Sequence, residues 1–202
     1  MQMNERGSWQ STVRLTVVAL ALTATVAAGG CGGNKTKKEA GLGEAGVGDL
    51  VSVAGTLSLR GSTPHTILML ELADGAVVVV QSSKLQDELR MLSGMKVSIE
   101  GKVLPSIDSE SPLVEAQSYE LLALPSGEVP LVGTVVLRDG QCVLETADDK
   151  LYWIRGDFAE VLKGYEGAKV WVVGTVGDAA LPEKPEGSVP MRVTGYGVLS
   201  SP

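Results

Sequence analysis

Two segments of this chain match each other: Val53-Ala54-Gly55-Thr56-Leu57-Ser58-Leu59-Arg60 and Leu131-Val132-Gly133-Thr134-Val135-Val136-Leu137-Arg138. Apolar and polar residues alternate in the first segment, and this period of two indicates a strand with one buried face. The match continues beyond these segments, so that residues 51–124 and 129–201 carry one pattern twice. We therefore expect two small domains, residues 50–124 and 129–202, joined by the short linker 125–128.

Each copy has the same order of predicted elements: three strands, a helix and two strands. In the first copy, Asp74-Gly75 is typical of a hairpin turn between the second and third strands, and Asp148-Asp149 takes that place in the second copy. The spacing of Ser83 and Gln86 predicts a capping box at the start of the first helix, and Asp157 and Glu160 have the same spacing in the second copy. The remaining strands are predicted at 67–72, 76–81, 96–103 and 114–122, and at 142–146, 150–155, 169–176 and 189–199.

This order resembles the OB fold, a five-stranded Greek-key barrel with a helix between its third and fourth strands. An SH3-like barrel is the main competitor, but it has no full helix at that point. We expect an all-β protein with one short helix per domain, folded as two tandem five-stranded OB-like barrels. By this resemblance, ligands would bind on strands two and three and between the neighbouring loops.

The N-terminus is typical of an export signal. Arg6 and Arg14 precede an uncharged apolar run from Leu15 to Ala28 that is too short to span a bilayer comfortably. The junction Ala28-Gly29-Gly30-Cys31 resembles the bacterial lipobox, which implies that Cys31 is diacylated on sulfur and becomes the first residue of the mature protein. We expect a lipoprotein signal peptide over residues 1–30 and a flexible tether over residues 31–49.

The lipid on Cys31 would hold the protein on a membrane without a spanning helix. The expected location is the cell envelope, facing the periplasm. Gly32 follows the cysteine where an aspartate would retain a lipoprotein in the inner membrane, so the outer membrane is preferred.

The net charge of the chain is -7. Nucleic-acid binding depends on Lys and Arg that neutralise phosphates, so this acidic balance predicts no nucleic-acid partner. Once Cys31 is lipidated, only Cys142 remains, and it lies opposite the apolar Leu68 in the repeat. We expect Cys142 to be a buried, unreactive thiol.

Residues for catalysis are scarce. His65 is the only histidine, and the sequence contains no G-x-S-x-G, H-E-x-x-H or C-x-x-C motif. Asp108 and Glu110 could contribute to a weak calcium site, although this spacing alone is common. We expect no enzymatic activity, no metal site and no cofactor.

The two copies differ most at the positions predicted to face outward on strands one and four. In the first copy these positions are polar or small: Ala54, Thr56, Ser58, Ser98 and Glu100. In the second copy they are mostly apolar: Val132, Thr134, Val136, Trp171 and Val173. Because strands one and four are neighbours in an OB barrel, Val132, Val136, Trp171 and Val173 would form an apolar patch, which usually marks an interface. The patch would pack on the first domain or its linker, or would bind a partner protein or a second copy.

These observations favour a lipid-anchored envelope protein that acts through protein or peptide contacts. The alternative is binding of an oligosaccharide or small ligand, either in the cleft between the domains or in the long loop from Gly177 to Gly187.

Overall fold

The computed structural model describes residues 45–62, 65–106, 111–177 and 185–201. Most of these residues lie in strands. The first copy contains β1 (Leu50–Ser62), β2 (His65–Leu72), β3 (Val77–Gln81), α1 (Gln86–Met91), β4 (Lys96–Leu104) and β5 (Leu113–Ala123). The second copy contains β6 (Leu131–Arg138), β7 (Gln141–Thr146), β8 (Leu151–Arg155), α2 (Asp157–Lys163), β9 (Lys169–Val176) and β10 (Ser188–Ser200).

Each set of five strands closes into a barrel. The strand orders are β1-β2-β3-β5-β4 and β6-β7-β8-β10-β9, with the ends of each list paired. Neighbouring strands are antiparallel except for β3 with β5 and β8 with β10, which are parallel. The predicted fold class, two five-stranded OB-like barrels with one short helix each, is confirmed.

Alternating side chains fill each barrel. On β1, Val51, Val53 and Leu57 are buried on the same face as Gly55, while Ser52, Ala54 and Thr56 are exposed. Leu59 was expected on the buried face, but 39% of it is exposed. The reason is that pairing of β1 with β4 ends at Thr56, so the end of β1 continues only as a hairpin with β2.

The repeated strand glycines allow close approach between strands. A Cβ at Gly55 would collide with the backbone carbonyl of Glu71, and a Cβ at Gly133 would collide with that of Glu145. Both glycines therefore occupy positions where only a hydrogen fits, in agreement with the bends that a small barrel requires.

The helix starts differ from the predictions. Helix α1 begins at Gln86, and its N-cap Leu85 makes no side-chain cap hydrogen bond. Ser82, and not Ser83, makes the hydrogen bonds in the turn before the helix: its Oγ accepts from the backbone N–H of Leu85, and its own N–H donates to Gln86 Oε1 at 3.0 Å. The expected cap at Asp157 is also wrong, since Asp157 is the first helical residue and Gly156 precedes it with φ 90°. A positive φ of this size strongly favours glycine, which explains why glycine occupies the position between β8 and α2.

The turn that follows each helix is hydrogen-bonded to the first strand of the same barrel. Gly94 N–H donates to Leu57 C=O and Gly167 N–H donates to Val135 C=O, both at 2.8 Å. The two bonds join equivalent residues of the repeat, so they fix how the two copies align around the helices.

Candidate functional site

The first candidate site is the contact between the two barrels, which belong to one compact unit. Val173 and Leu199 of the second barrel are buried in the same cluster as the core of the first barrel. Val132 and Trp171 are half-buried and pack against this cluster. Three of the four residues predicted to form an apolar patch therefore face the first barrel, and Leu199 joins them.

The Trp171 indole lies over a glycine of the neighbouring strand. Trp171 on β9 pairs with Gly197 on β10, and a Cβ at Gly197 would stand 2.5 Å from the indole ring. Gly195 pairs with Val173 in the same way. These glycines leave room for the indole to lie along β10, so the face presented to the first barrel is flat and apolar.

A polar bridge accompanies the apolar contact. Glu88 on α1 accepts hydrogen bonds from Tyr119 Oη at 2.6 Å and from Lys169 Nζ at 2.7 Å. Lys169 Nζ also lies 4.7 Å from the centroid of the Tyr119 ring, within range of a cation–π interaction. Burial, followed by the hydrogen bond to Glu88, raises the pKa of the Tyr119 hydroxyl, so this group stays protonated and donates.

The sequence prediction did not include this bridge. A signal was available in the repeat, because Glu88 aligns with Val161 once Gly94 is matched to Gly167. A charge on one helix and a valine on its equivalent indicate that the two helices face different surroundings.

Val136, the fourth predicted patch residue, lies on another face. Register places it beside Val143, Trp153 and Pro190 in a row across β6, β7, β8 and β10. Val143 and Pro190 are buried, and only 8% of Trp153 is exposed. The Arg155 guanidinium lies 4.9 Å from the Trp153 ring centroid, and the indole N–H donates to Gln141 Oε1. Three of the four side chains in this row are therefore shielded from solvent, and Arg155 and Gln141 contact the Trp153 ring.

The equivalent row of the first barrel is more open. It runs through Ser58, Met69, Val79 and Leu113 on β1, β2, β3 and β5, and all four residues are half-buried. On the same outer face, Val77 is half-buried and 52% of Ile67 is exposed. We call the set Ile67, Met69, Val77, Val79 and Leu113 the β2–β3 face. It was not among the predicted sites, although the run of four valines in β3 was a signal, since alternate valines must point outward.

The other residues singled out in the sequence have ordinary surroundings. Cys142 is buried, and burial raises the pKa of its thiol to about 11. His65 is exposed at the start of β2. Asp148 lies in the turn between β7 and β8, where Lys150 and Thr146 contact its carboxylate and hold its pKa below the usual value.

Several predictions fall outside the described residues. These are the signal peptide 1–30, lipidation of Cys31, the tether up to residue 44, the pair Asp108 and Glu110, and residues 178–184 of the loop from Gly177 to Gly187. Within the described ranges, no three His, Cys, Asp or Glu side chains cluster in a way that could hold a metal ion. In the same part of the chain, neither helix has the length and apolar character needed to cross a bilayer.

Comparison with known proteins gives structural similarity only. No protein-family model matches the chain, and no curated protein matches it. A single-stranded DNA binding protein from Thermus aquaticus is among the solved structures similar to it, at 15% sequence identity and a TM-score of 0.24. The alignment covers 76% of this chain and 94% of that chain.

This finding corrects one expectation. Nucleic acid was predicted not to be a partner, and a protein named for DNA binding is now among the similar structures, so that exclusion is withdrawn. The physical reason is that net charge sums over the whole chain, whereas phosphate contacts depend on local basic side chains. At this identity and TM-score, the similarity assigns no ligand to this chain.

Proposed function

We propose that this chain is a lipid-anchored protein of the cell envelope that binds a protein or peptide partner, without enzymatic activity, through the β2–β3 face of its first barrel. The observation that carries the proposal is a difference in burial between the row Val136, Val143, Trp153 and Pro190 of the second barrel and the equivalent row Ser58, Met69, Val79 and Leu113 of the first. In the row of the second barrel, Val143, Trp153 and Pro190 are buried and only Val136 is half-buried, whereas all four residues in the row of the first barrel are half-buried. Contiguous exposed apolar surface is typical of an interaction site.

The position of this face supports the same conclusion. Strands two and three are where OB folds commonly bind their ligands. At the centre of this face β2 and β3 are each paired with strands on both sides, so a peptide could not add there as a further strand. A partner would instead bind through side chains, with Ile67, which is 52% exposed, as the most accessible apolar contact of this face.

The N-terminal sequence supports the anchor. Arg6, Arg14, the apolar run that follows and the junction ending in Cys31 together resemble a lipoprotein signal. The anchor would place both barrels at the membrane surface, with the outer membrane preferred because Gly32 follows the cysteine.

Photocrosslinking in intact cells tests the binding surface. A crosslinking amino acid at Ile67 should give a discrete adduct, and Met69→Lys with Val79→Lys should reduce its yield at least tenfold, because two charges would be buried on binding. The matched control is Ser52→Lys with Thr56→Lys, two exposed positions on β1. Equal adduct yield from both double variants would contradict the proposed face.

Membrane fractionation tests the anchor separately. The unmodified chain should sediment with membranes, and Cys31→Ser should release it into the soluble fraction. Retention of Cys31→Ser on membranes would show that a lipid on Cys31 is not what holds the protein there.

A further inference from the structure

The first barrel contacts the second barrel through a surface that we call the receiving surface. The second barrel has a surface at the equivalent position of the repeat. The receiving surface contains Glu88 from α1 and Tyr119 from β5, which meet Lys169 of the second barrel. Tyr119 pairs with Ile99 on β4, and Tyr196 pairs with Val172 on β9 at the equivalent place. Matching Gly94 to Gly167 then aligns Glu88 with Val161, and it places Phe158 and Tyr165 where the first barrel has Leu85 and the fully buried Leu92. We call Phe158, Val161, Tyr165 and Tyr196 the counterpart surface.

The counterpart surface is apolar and accessible. Val161 is 46% exposed and Tyr165 is 36% exposed. The Tyr196 ring centroid lies 5.5 Å from that of Phe158 and 6.2 Å from that of Tyr165, so the three rings form one cluster beside α2. Val161 stands where the first barrel has the carboxylate of Glu88, which makes this surface more apolar than the receiving surface.

The repeat also indicates what chemistry fits such a surface. On the first barrel, the equivalent surface is covered by a sheet face of the second barrel that consists of apolar side chains over glycines. This donor face contains Trp171, Val173, Gly195, Gly197 and Leu199. Lys169 supplies the cation that pairs with Glu88. A partner for the counterpart surface would need the apolar sheet face but no such cation, because Val161 offers no carboxylate.

A second copy of this chain does not present that face. The positions of the first barrel equivalent to Trp171, Val173, Gly195 and Gly197 are Ser98, Glu100, Ser118 and Glu120. Ser118 Oγ donates to Glu100 Oε2 at 3.3 Å, on a surface that is largely exposed. Docking this face on the counterpart surface would bury two carboxylates among aromatic rings, which is unfavourable. Head-to-tail association of identical chains, which generates open filaments, is thereby blocked.

We propose that the counterpart surface is a docking site for an apolar β-sheet face of a different protein, of the same chemistry as the face that the second barrel presents to the first. This inference does not depend on the proposed β2–β3 face, which lies on the other barrel. The partner is recognised by flat apolar contact with Val161 and Tyr165.

The chain itself supplies a probe of that chemistry. The donor face is transferred to the first barrel by four substitutions: Ser98→Trp, Glu100→Val, Ser118→Gly and Glu120→Gly. They are made in the full chain carrying Cys31→Ser, so that a lipid cannot cause association. We expect the unmodified chain to sediment as a monomer and the grafted chain to form head-to-tail oligomers, with an average mass at least twice that of the monomer. Adding Val161→Lys should return the grafted chain to the monomer.

The matched control adds Met91→Lys to the grafted chain, since Met91 is an exposed apolar residue on α1 outside the counterpart surface. Oligomers should persist in this control. The proposal would be overturned if the grafted chain folds but remains monomeric. It would also be overturned if the grafted chain still forms oligomers after Val161→Lys is added. Circular dichroism checks folding, and if the fourfold graft does not fold, Ser98→Trp with Glu120→Gly is tested by the same criteria.

Discussion

Gly197 is the residue on which the geometry of the donor face depends most directly. Its missing side chain leaves the space in which the Trp171 indole lies. We expect Gly197→Ala to displace the indole and to lower the free energy of unfolding by about 1–3 kcal/mol, the usual cost of overpacking. Urea denaturation followed by tryptophan fluorescence measures this change.

Gly177→Ala is the control for that substitution. A Cβ at Gly177 would lie 3.8 Å from the Pro190 carbonyl oxygen, an ordinary van der Waals distance. Its unfolding midpoint should stay close to that of the unmodified chain. Equal destabilisation by both alanine substitutions would mean that the indole does not depend on the space above Gly197.

Sequence reasoning at this scale succeeded for Trp171 and failed for Glu88. Trp171 was identifiable because an aromatic residue at an outward strand position conflicts with the pattern of its equivalent, Ser98. Glu88 was not identified because a glutamate on a short helix is usual, and only its two donors in space, Tyr119 and Lys169, give it a role.

At the scale of the element, the start of α1 offers a sharp test. Ser82 accepts from Leu85 N–H and donates its own N–H to Gln86, and its hydroxyl also donates to the Ala116 carbonyl on β5. Ser82→Ala should therefore cost about 1 kcal/mol of stability, because it removes the hydroxyl hydrogen bonds to Leu85 N–H and the Ala116 carbonyl. Ser83→Ala should be nearly neutral, since Ser83 is exposed and these hydrogen bonds belong to its neighbour. Denaturant unfolding of the two variants compares them, and a larger effect at Ser83 would favour the capping box predicted from sequence.

Element types and order could be predicted, whereas some ends could not. Strand β9 was predicted as residues 169–176 and has these bounds. The predicted cap at Ser83 would start α1 at residue 84, whereas the helix begins at Gln86. Ser82 and Ser83 are equally good hydrogen-bonding residues before a helix in isolation. What selects Ser82 is its hydrogen bond to β5, a contact between residues far apart in sequence.

At the scale of the whole molecule, the shared core predicts how the protein unfolds. Because Val173 and Leu199 are buried in the cluster of the first barrel, we expect the two barrels to unfold in one calorimetric transition. Trp171→Ser with Lys169→Ser should separate this into two transitions. Lys150→Ser, which removes only an exposed ion pair with Asp148, should leave one. Two transitions in the unmodified chain would contradict the expectation.

The barrel pattern was predictable because it depends on local alternation and on the repeat. Which surface the donor face packs against was not predictable, since a sequence shows that a face is apolar without showing what covers it. Only the three-dimensional arrangement distinguishes Val132, Trp171 and Val173, which pack toward the first barrel, from Val136, which does not.

Closure of each barrel also has a kinetic consequence. The last pair that closes the first barrel joins Leu50 to Lys102, residues that are 52 positions apart (102 minus 50). Contacts between such distant residues require the entropy of a long loop to be lost before they contribute, and proteins rich in them fold slowly. Under the proposed export, this delay would be useful, because a slowly closing barrel would leave the chain unfolded for longer while it crosses the membrane.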